Sequence, residues 1–305
     1  MFRALRACIG LMALCLALVA QAADFETTKR AAEAGDAEAQ SLLGFMYNAG
    51  QGVAQNYAEA VKWYRKAAEQ GNADAQFNLG WMYANGRGAA QNYAEAVKWY
   101  RKAADQGDAH AQFNLGLMYA NGRGAAQNYA EAVKWYRKAA DQGDTKAQFN
   151  LGVMYDNGQG VQQNDAEAVK WYRKAADQGL AQAQSNLGVM YANGRGVAQD
   201  YAEAVKWYRK AADQGYADAQ NNLGAMYANG QGVPRNKVVA YALYSLAAAR
   251  ESASGDHIDS NNRSKLANGM TAQAIEAGQE LSRQMSQPGN LLKALDNYRP
   301  GPNQR

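Results

Sequence analysis

The glycines at 44, 80, 116, 152, 188 and 224 follow one another at intervals of 36 residues, each inside a near copy of Leu79-Gly80-Trp81-Met82-Tyr83-Ala84-Asn85-Gly86-Arg87-Gly88. A fixed period in this range marks a chain built by stacking identical supersecondary units, each burying its apolar face against its neighbours. The length of 305 residues would otherwise suggest about two ordinary domains. The period overrides that count, because a stack has no single core to outgrow.

Each copy splits into two helical patterns. Between 72 and 107, Ala75, Leu79, Met82 and Tyr83 share one face at about 100° per residue, giving the first helix its core stripe. Asn72, like Asp36, Asp108 and Asp144, is placed to cap that helix, whereas Leu180 and Tyr216 leave the fifth and sixth copies without a cap. Asn85-Gly86-Arg87-Gly88 ends it, with glycines that can take left-handed conformations.

The second helix starts at a pattern resembling a capping box, Asn92 with Glu95. The pattern returns as Asn56 with Glu59, Asn128 with Glu131, Asn164 with Glu167 and Asp200 with Glu203. Ala60, Tyr64, Ala67 and Ala68 face inward. Glu59, Lys62, Arg65, Lys66 and Glu69 face out, with Glu59–Lys62 and Lys66–Glu69 within pairing distance at i, i+3.

Recurring residues therefore have structural work: Gly44, Gly80, Gly116, Gly152, Gly188 and Gly224 allow close helix approach, and Tyr47, Tyr83, Tyr119, Tyr155, Tyr191 and Tyr227 fill the stripe. A helix-interior glycine costs about 1 kcal/mol relative to alanine. Its return in six copies implies that closeness outweighs propensity.

The resulting organisation is a segment at 1–22, a half-repeat cap at 23–35, and six copies at 36–71, 72–107, 108–143, 144–179, 180–215 and 216–251. Capping helices follow over 252–286, one of them from Thr271 to Ser286 with Thr271 as N-cap and a shorter one over 262–268. A mobile tail is expected at 287–305, from Pro288-Gly289, Pro300 and Pro302.

The first segment has the form of a secretory signal: Arg3 and Arg6, an apolar run from Ala7 to Ala20, and Ala20-Gln21-Ala22 at the cleavage point. The chain is thus expected to mature near Ala23, without a membrane span, and to be exported to the periplasm or the medium. Cys8 and Cys15 both fall in that segment, so the mature chain has neither a disulfide nor a thiol nucleophile. Net charge is +4 for the whole chain, and loss of Arg3 and Arg6 leaves 30 basic against 28 acidic side chains. Nothing in that balance calls for nucleic acid.

The set Ala75, Leu79-Gly80, Met82-Tyr83, Gly86, Gly88, Ala96, Trp99-Tyr100, Ala103-Ala104 and Gly107, at this period, resembles the Sel1-like repeat, a relative of the tetratricopeptide repeat; the likeness runs from about Gly35 to Ala248. The resemblance implies an all-α solenoid, a right-handed superhelix of antiparallel helix pairs with first helices on the concave side. It also implies an adaptor or scaffold that binds other proteins, in exported bacterial members often at the cell envelope. Cysteine-rich members of the family carry a disulfide per repeat and are linked to penicillin binding or hydrolysis. This chain lacks those cysteines after position 15 and has neither Ser-x-x-Lys nor Lys-Thr-Gly, which speaks against a β-lactamase-like or cell-wall hydrolase.

No catalytic set, metal site or cofactor is expected. His110 stands in a slot filled elsewhere by Asp74, Lys146, Gln182 and Asp218, and His257 lies with Asp256 and Asp259 in a polar connection. The slots that vary between copies lie on the first helix, away from its core stripe. One reads Ser41, Phe77, Phe113, Phe149, Ser185, Asn221; the next reads Phe45, Trp81, Leu117, Val153, Val189, Ala225. Two readings are open for Phe45, Phe77, Trp81, Phe113, Leu117, Phe149 and Val153: a docking stripe for a partner protein or peptide with His110 and Lys146 on its rim, or packing between neighbouring copies. A scaffold that engages polysaccharide or peptidoglycan through Trp63, Trp99, Trp135, Trp171 and Trp207 is the alternative function. The regular return of those tryptophans beside the core stripe favours a packing role.

Overall fold

A computed structural model describes residues 24–251 and 258–299. The expected signal segment and the cleavage point lie outside the described residues, as does His257. The described residues form helices only. After α1 over 24–33 come α2 (Ala37–Ala49), α3 (Tyr57–Glu69), α4 (Ala73–Asn85), α5 (Tyr93–Asp105), α6 (Ala109–Asn121), α7 (Tyr129–Asp141) and α8 (Thr145–Asn157). They continue as α9 (Asp165–Asp177), α10 (Ala181–Asn193), α11 (Tyr201–Asp213), α12 (Ala217–Asn229), α13 (Lys237–Glu251), α14 (Ile258–Ala267), α15 (Ala272–Met285) and α16 (Leu291–Asn297). Contacts divide the chain into two units, Met1–Ala147 and Gln148–Arg305.

In the first unit, Asp36, Asn72, Asp108 and Asp144 accept from the backbone N–H three residues on, at 2.5–2.8 Å. In the second, Leu180 and Tyr216 make no side-chain cap, as their chemistry requires. The even-numbered helices α2, α4, α6, α10 and α12 end on a glycine in the left-handed region, φ 64–74°.

The second-helix starts differ from a full capping box. Asn56, Asn92, Asn128, Asn164 and Asp200 do accept from the N–H of Glu59, Glu95, Glu131, Glu167 and Glu203 at 3.0–3.1 Å. Their own N–H groups, however, already donate to the carbonyls of Tyr47, Tyr83, Tyr119, Tyr155 and Tyr191. The glutamates, with no backbone donor to satisfy, pair instead with the lysine three residues on, as Glu59 does with Lys62 at 2.5 Å. Lys66 does not turn to Glu69. Its Nζ lies 4.0 Å from the centre of the Trp63 ring, and Lys102, Lys138, Lys174 and Lys210 take the same position over their tryptophans.

The recurring helix glycines are contact points for an aromatic ring. A Cβ on Gly116 would stand 2.6 Å from the Tyr136 ring, and one on Gly80 2.8 Å from that of Tyr100; in the second unit, one on Gly188 would stand 2.6 Å from Tyr208. These rings are almost fully buried. Burial holds the Tyr64, Tyr100 and Tyr208 hydroxyls well above the ordinary phenol range. The second glycine of each turn serves a different approach: a Cβ on Gly88 would meet the Tyr57 carbonyl oxygen at 2.1 Å, so the turn of one copy lies on the helix start of the copy before.

Buried glutamines stitch the copies together. Gln76 Nε2 donates to the Ala68 carbonyl of the preceding copy at 3.0 Å, while its Oε1 accepts from Gln106 Nε2 at 2.8 Å, and Gln106 also donates to the Gly71 carbonyl. Gln40 with Gln70 and Gln112 with Gln142 repeat the arrangement, as does Gln184 with Gln214 in the second unit. In the sixth copy, Gln220 Oε1 has no partner among the described residues.

In the second unit the sequence varies at one junction. Asp156 stands where Ala84, Ala120 and Ala192 do, and Asp165 where Tyr57, Tyr93, Tyr129 and Tyr201 do, and the Arg195 guanidinium donates to both, at 2.9 Å to Asp165. In the first unit the equivalent Arg87 and Arg123 lie over the rings of Tyr57 and Tyr93. At the C-terminal end, Leu281 and Met285 of α15 bury against Leu243 and Leu246, and the Tyr241 ring packs where a Cβ on Gly278 would stand. The segment expected as a mobile tail is in part a helix. In α16, Leu291, Ala294 and Leu295 are buried in the same cluster, and Arg209 pairs with Asp296 at 2.5 Å. Four apolar residues in seven outweigh the proline and glycine before them. Residues 300–305 lie outside the described residues.

Gly116→Val should therefore lower stability by about 1–3 kcal/mol through overpacking against Tyr136. Gly107→Ala, where no atom stands within 4 Å of the added Cβ, tests backbone conformation without the clash. Thermal unfolding of the two variants checks this; an unchanged midpoint for Gly116→Val would refute the close-approach account.

Candidate functional site

The varied slots of the first helices differ in how far they face outward. The slot of Glu38, Asp74, His110 and Lys146 is exposed throughout. The slot of Phe45, Trp81 and Leu117 runs from exposed to half-buried, Phe45 being 44% accessible. The slot of Ser41, Phe77 and Phe113 lies closest to the second helix: Ser41 is buried, and Phe77 and Phe113 are half-buried. Phe77 tilts against Tyr100 at 5.9 Å between ring centres and Phe113 against Tyr136 at 6.0 Å. The packing reading therefore holds for these rings in part: each packs on the tyrosine that covers the glycine and is only half-buried.

In the second unit Phe149 repeats this against Tyr172 at 5.9 Å, Val153 is half-buried beside it, and Ser185 is buried. Burial pushes the Tyr172 hydroxyl up, and the adjacent Asp156 carboxylate adds to the effect.

The polar rim is specific in the first unit. The His110 ring stands 6.0 Å from that of Phe77, and its Nδ1 is 3.6 Å from Asp144 Oδ2, with the side chain 73% exposed. Lys146 is exposed at the same slot one copy on. Trp81 carries the Arg87 guanidinium 5.0 Å from its ring centre. Among the described residues, no group of three or more His, Cys, Asp or Glu side chains could hold a metal ion, and no helix is long and apolar enough to cross a membrane.

The tryptophans of the second helices are placed differently. Trp99, Trp135, Trp171 and Trp207 are buried, and Trp63 is half-buried. With lysine ammonium groups over their rings they are parts of the core rather than a stacking platform.

One apolar side chain of the outward face escapes the two-slot comparison. Leu42 is 50% exposed and stands where the other copies have Asn78, Asn114, Asn150, Asn186 and Asn222. With Phe45 it is one of two large apolar side chains exposed among the described residues. Alignment of the copies column by column carries that signal, since leucine in an asparagine column serves no internal stitch.

The exposed part of the face should be separable from the stack. Trp81→Ser with Phe113→Ser should cost about 1–3 kcal/mol, because only one edge of each side chain is packed, and should leave a cooperative unfolding transition by circular dichroism. Loss of that transition would make both residues core.

The Sel1 repeat model matches residues 37–72, 73–108, 109–144, 145–180, 181–216 and 217–252. No curated protein matches the chain. Among solved structures it is similar to c5321, a protective antigen present in uropathogenic Escherichia coli strains displaying an SLR fold, with a TM-score of 0.75 and 38% identity over 84% of this chain. That alignment covers 54% of c5321, so the chain spans about half the length of that relative. It is also similar to a Sel1 repeat protein from Oxalobacter formigenes, with a TM-score of 0.62 and 37% identity over 75% of this chain and 96% of that one. Six matched repeats, the helix pairs they form and these two structures agree: the chain belongs to the Sel1 repeat family.

Proposed function

We propose that this protein is a non-catalytic adaptor, exported to the bacterial cell envelope or beyond it, that binds a partner protein or peptide on the outward face of its first helices. Sel1 repeat proteins generally mediate protein–protein interactions. The observation that carries the reading for this chain is a contrast between slots. The leucines, methionines and glutamines that recur in all copies, such as Leu79, Met82 and Gln76, are buried, whereas Phe45, Trp81 and Leu117, which change from copy to copy, keep an accessible apolar surface beside Phe77 and Phe113. Aromatic anchors of this kind dominate interface energies. Phe149 and Val153 continue the same slots in the second unit.

Export rests on Arg3, Arg6, the apolar run and Ala20-Gln21-Ala22. Binding of polysaccharide would call on the tryptophans of the second helices, of which Trp99, Trp135, Trp171 and Trp207 are buried and Trp63 alone is half-buried, so a protein partner is favoured.

A photoreactive amino acid at position 81 or 113, activated in the periplasm, should capture one discrete protein. The same group at Arg65 or Lys98, on the second helices, should not. Equal capture from both faces, or none from 81 and 113, would overturn the assignment.

A further inference from the structure

We infer that the N-terminal groove of the first unit takes a basic amphipathic helix of the partner; this rests on the reading of the first-helix face given above. The groove encloses about 800 Å³ between α1, α2 and α4. Its floor is Leu42, Phe45 and Phe77, and its α1 wall includes Thr28 and Ala31. Leu42 and Phe45 are three residues apart on α2 and thus neighbours on one helix face. Both are exposed, and neither takes part in the glycine–tyrosine or glutamine stitches that hold the copies together.

The rim is acidic. Glu38 and Asp74 line the groove, and no lysine or arginine does. Glu38 accepts from Asn72 Nδ2 at 2.8 Å through one oxygen, which anchors its carboxylate beside the groove. The corresponding slot turns to His110 and Lys146 in the next two copies, so within the first unit the acidic residues of this slot are those of the groove. A ligand that matches the floor and the rim has an apolar ridge flanked by Lys or Arg; an anionic membrane surface is repelled by the same carboxylates.

The backbone selects a helix as the form of that ligand. All three walls are helices, whose main-chain groups are paired internally, so no strand can be added, and side chains in a groove are the remaining mode. At the sixth copy the slot of Ser41 and Phe77 already meets a helix of this chain, where Asn262 on α14 donates to Asn221 Oδ1 at 3.0 Å.

The test is fluorescence anisotropy with the purified protein and labelled helical peptides carrying Leu at i, i+3, i+4 and i+7. One peptide has Lys on its flanks and the other Glu. The Lys peptide should bind, weaken with added salt, and exceed the Glu peptide by at least about tenfold. Leu42→Ser or Phe45→Ser should each lower its affinity by about tenfold with thermal unfolding unchanged. Glu38→Gln with Asp74→Asn should narrow the gap between the peptides.

Equal affinity for both peptides, binding of neither, or indifference to Leu42→Ser and Phe45→Ser would overturn the inference. So would a concentration-dependent dimer abolished by those two substitutions, which would make a second copy the occupant. Crosslinking from 81 or 113 separates the failures: a captured partner alongside negative peptide results refutes only the basic helix, whereas no captured partner refutes the wider reading.

Discussion

A tyrosine ring packed against a bare glycine backbone sets the distance between the two helices of each copy, and the rest of the stack follows from that distance. Tyr64 on Gly44, Tyr100 on Gly80 and Tyr136 on Gly116 repeat it through the first unit, and Tyr172 on Gly152 and Tyr208 on Gly188 through the second. Each glycine weakens its helix by about 1 kcal/mol, and burial of a whole aromatic ring offsets that loss. With the helices this close, the buried glutamines can reach a carbonyl of the preceding copy and the side chain of their own second helix at once. An unpaired amide there would cost about 1–3 kcal/mol, so the ladder fixes register as well as adding stability.

Much of this was legible in the sequence because each device repeats with the period. The caps at Asp36, Asn72, Asp108 and Asp144, their loss at Leu180 and Tyr216, and the role of Gly80 as a point of close approach follow from residue chemistry and helical spacing. The glutamine ladder was not legible. Gln76 and its copies look like polar surface residues until the helices are close enough for both ends of the amide to be used, and that is a tertiary distance. The half-formed capping box has the same origin: the Asn92 N–H is taken by Tyr83 O, a residue of the other helix. Lys66 chose the Trp63 ring over Glu69 because the ring is held in place by packing, whereas an exposed carboxylate has to be ordered to pair. The helix α16 was hidden behind Pro288 and Gly289, and only the apolar patch on α11 and α15 gives Leu291 and Leu295 somewhere to go.

The candidate site was legible as a set of varying columns and not as a surface. Comparison of the copies picks out Phe45, Phe77, Trp81, Phe113 and Leu117, but cannot say that Phe77 and Phe113 spend one edge on Tyr100 and Tyr136. Nor does it give the depth of the groove beside Leu42, which depends on where α1 ends against α2. Side chains proposed for recognition thus also contribute to packing on this face. The glycine–tyrosine contact recurs from copy to copy, and the proposed partner face is drawn from columns that vary.

That division is open to a direct measurement. Hydrogen exchange of the protein alone and with its captured partner should show new protection in α2, α4 and α6 and none in α3, α5 and α7. New protection concentrated on the second helices, or spread evenly over both, would contradict the claim that this chain binds through the outward face of its first helices.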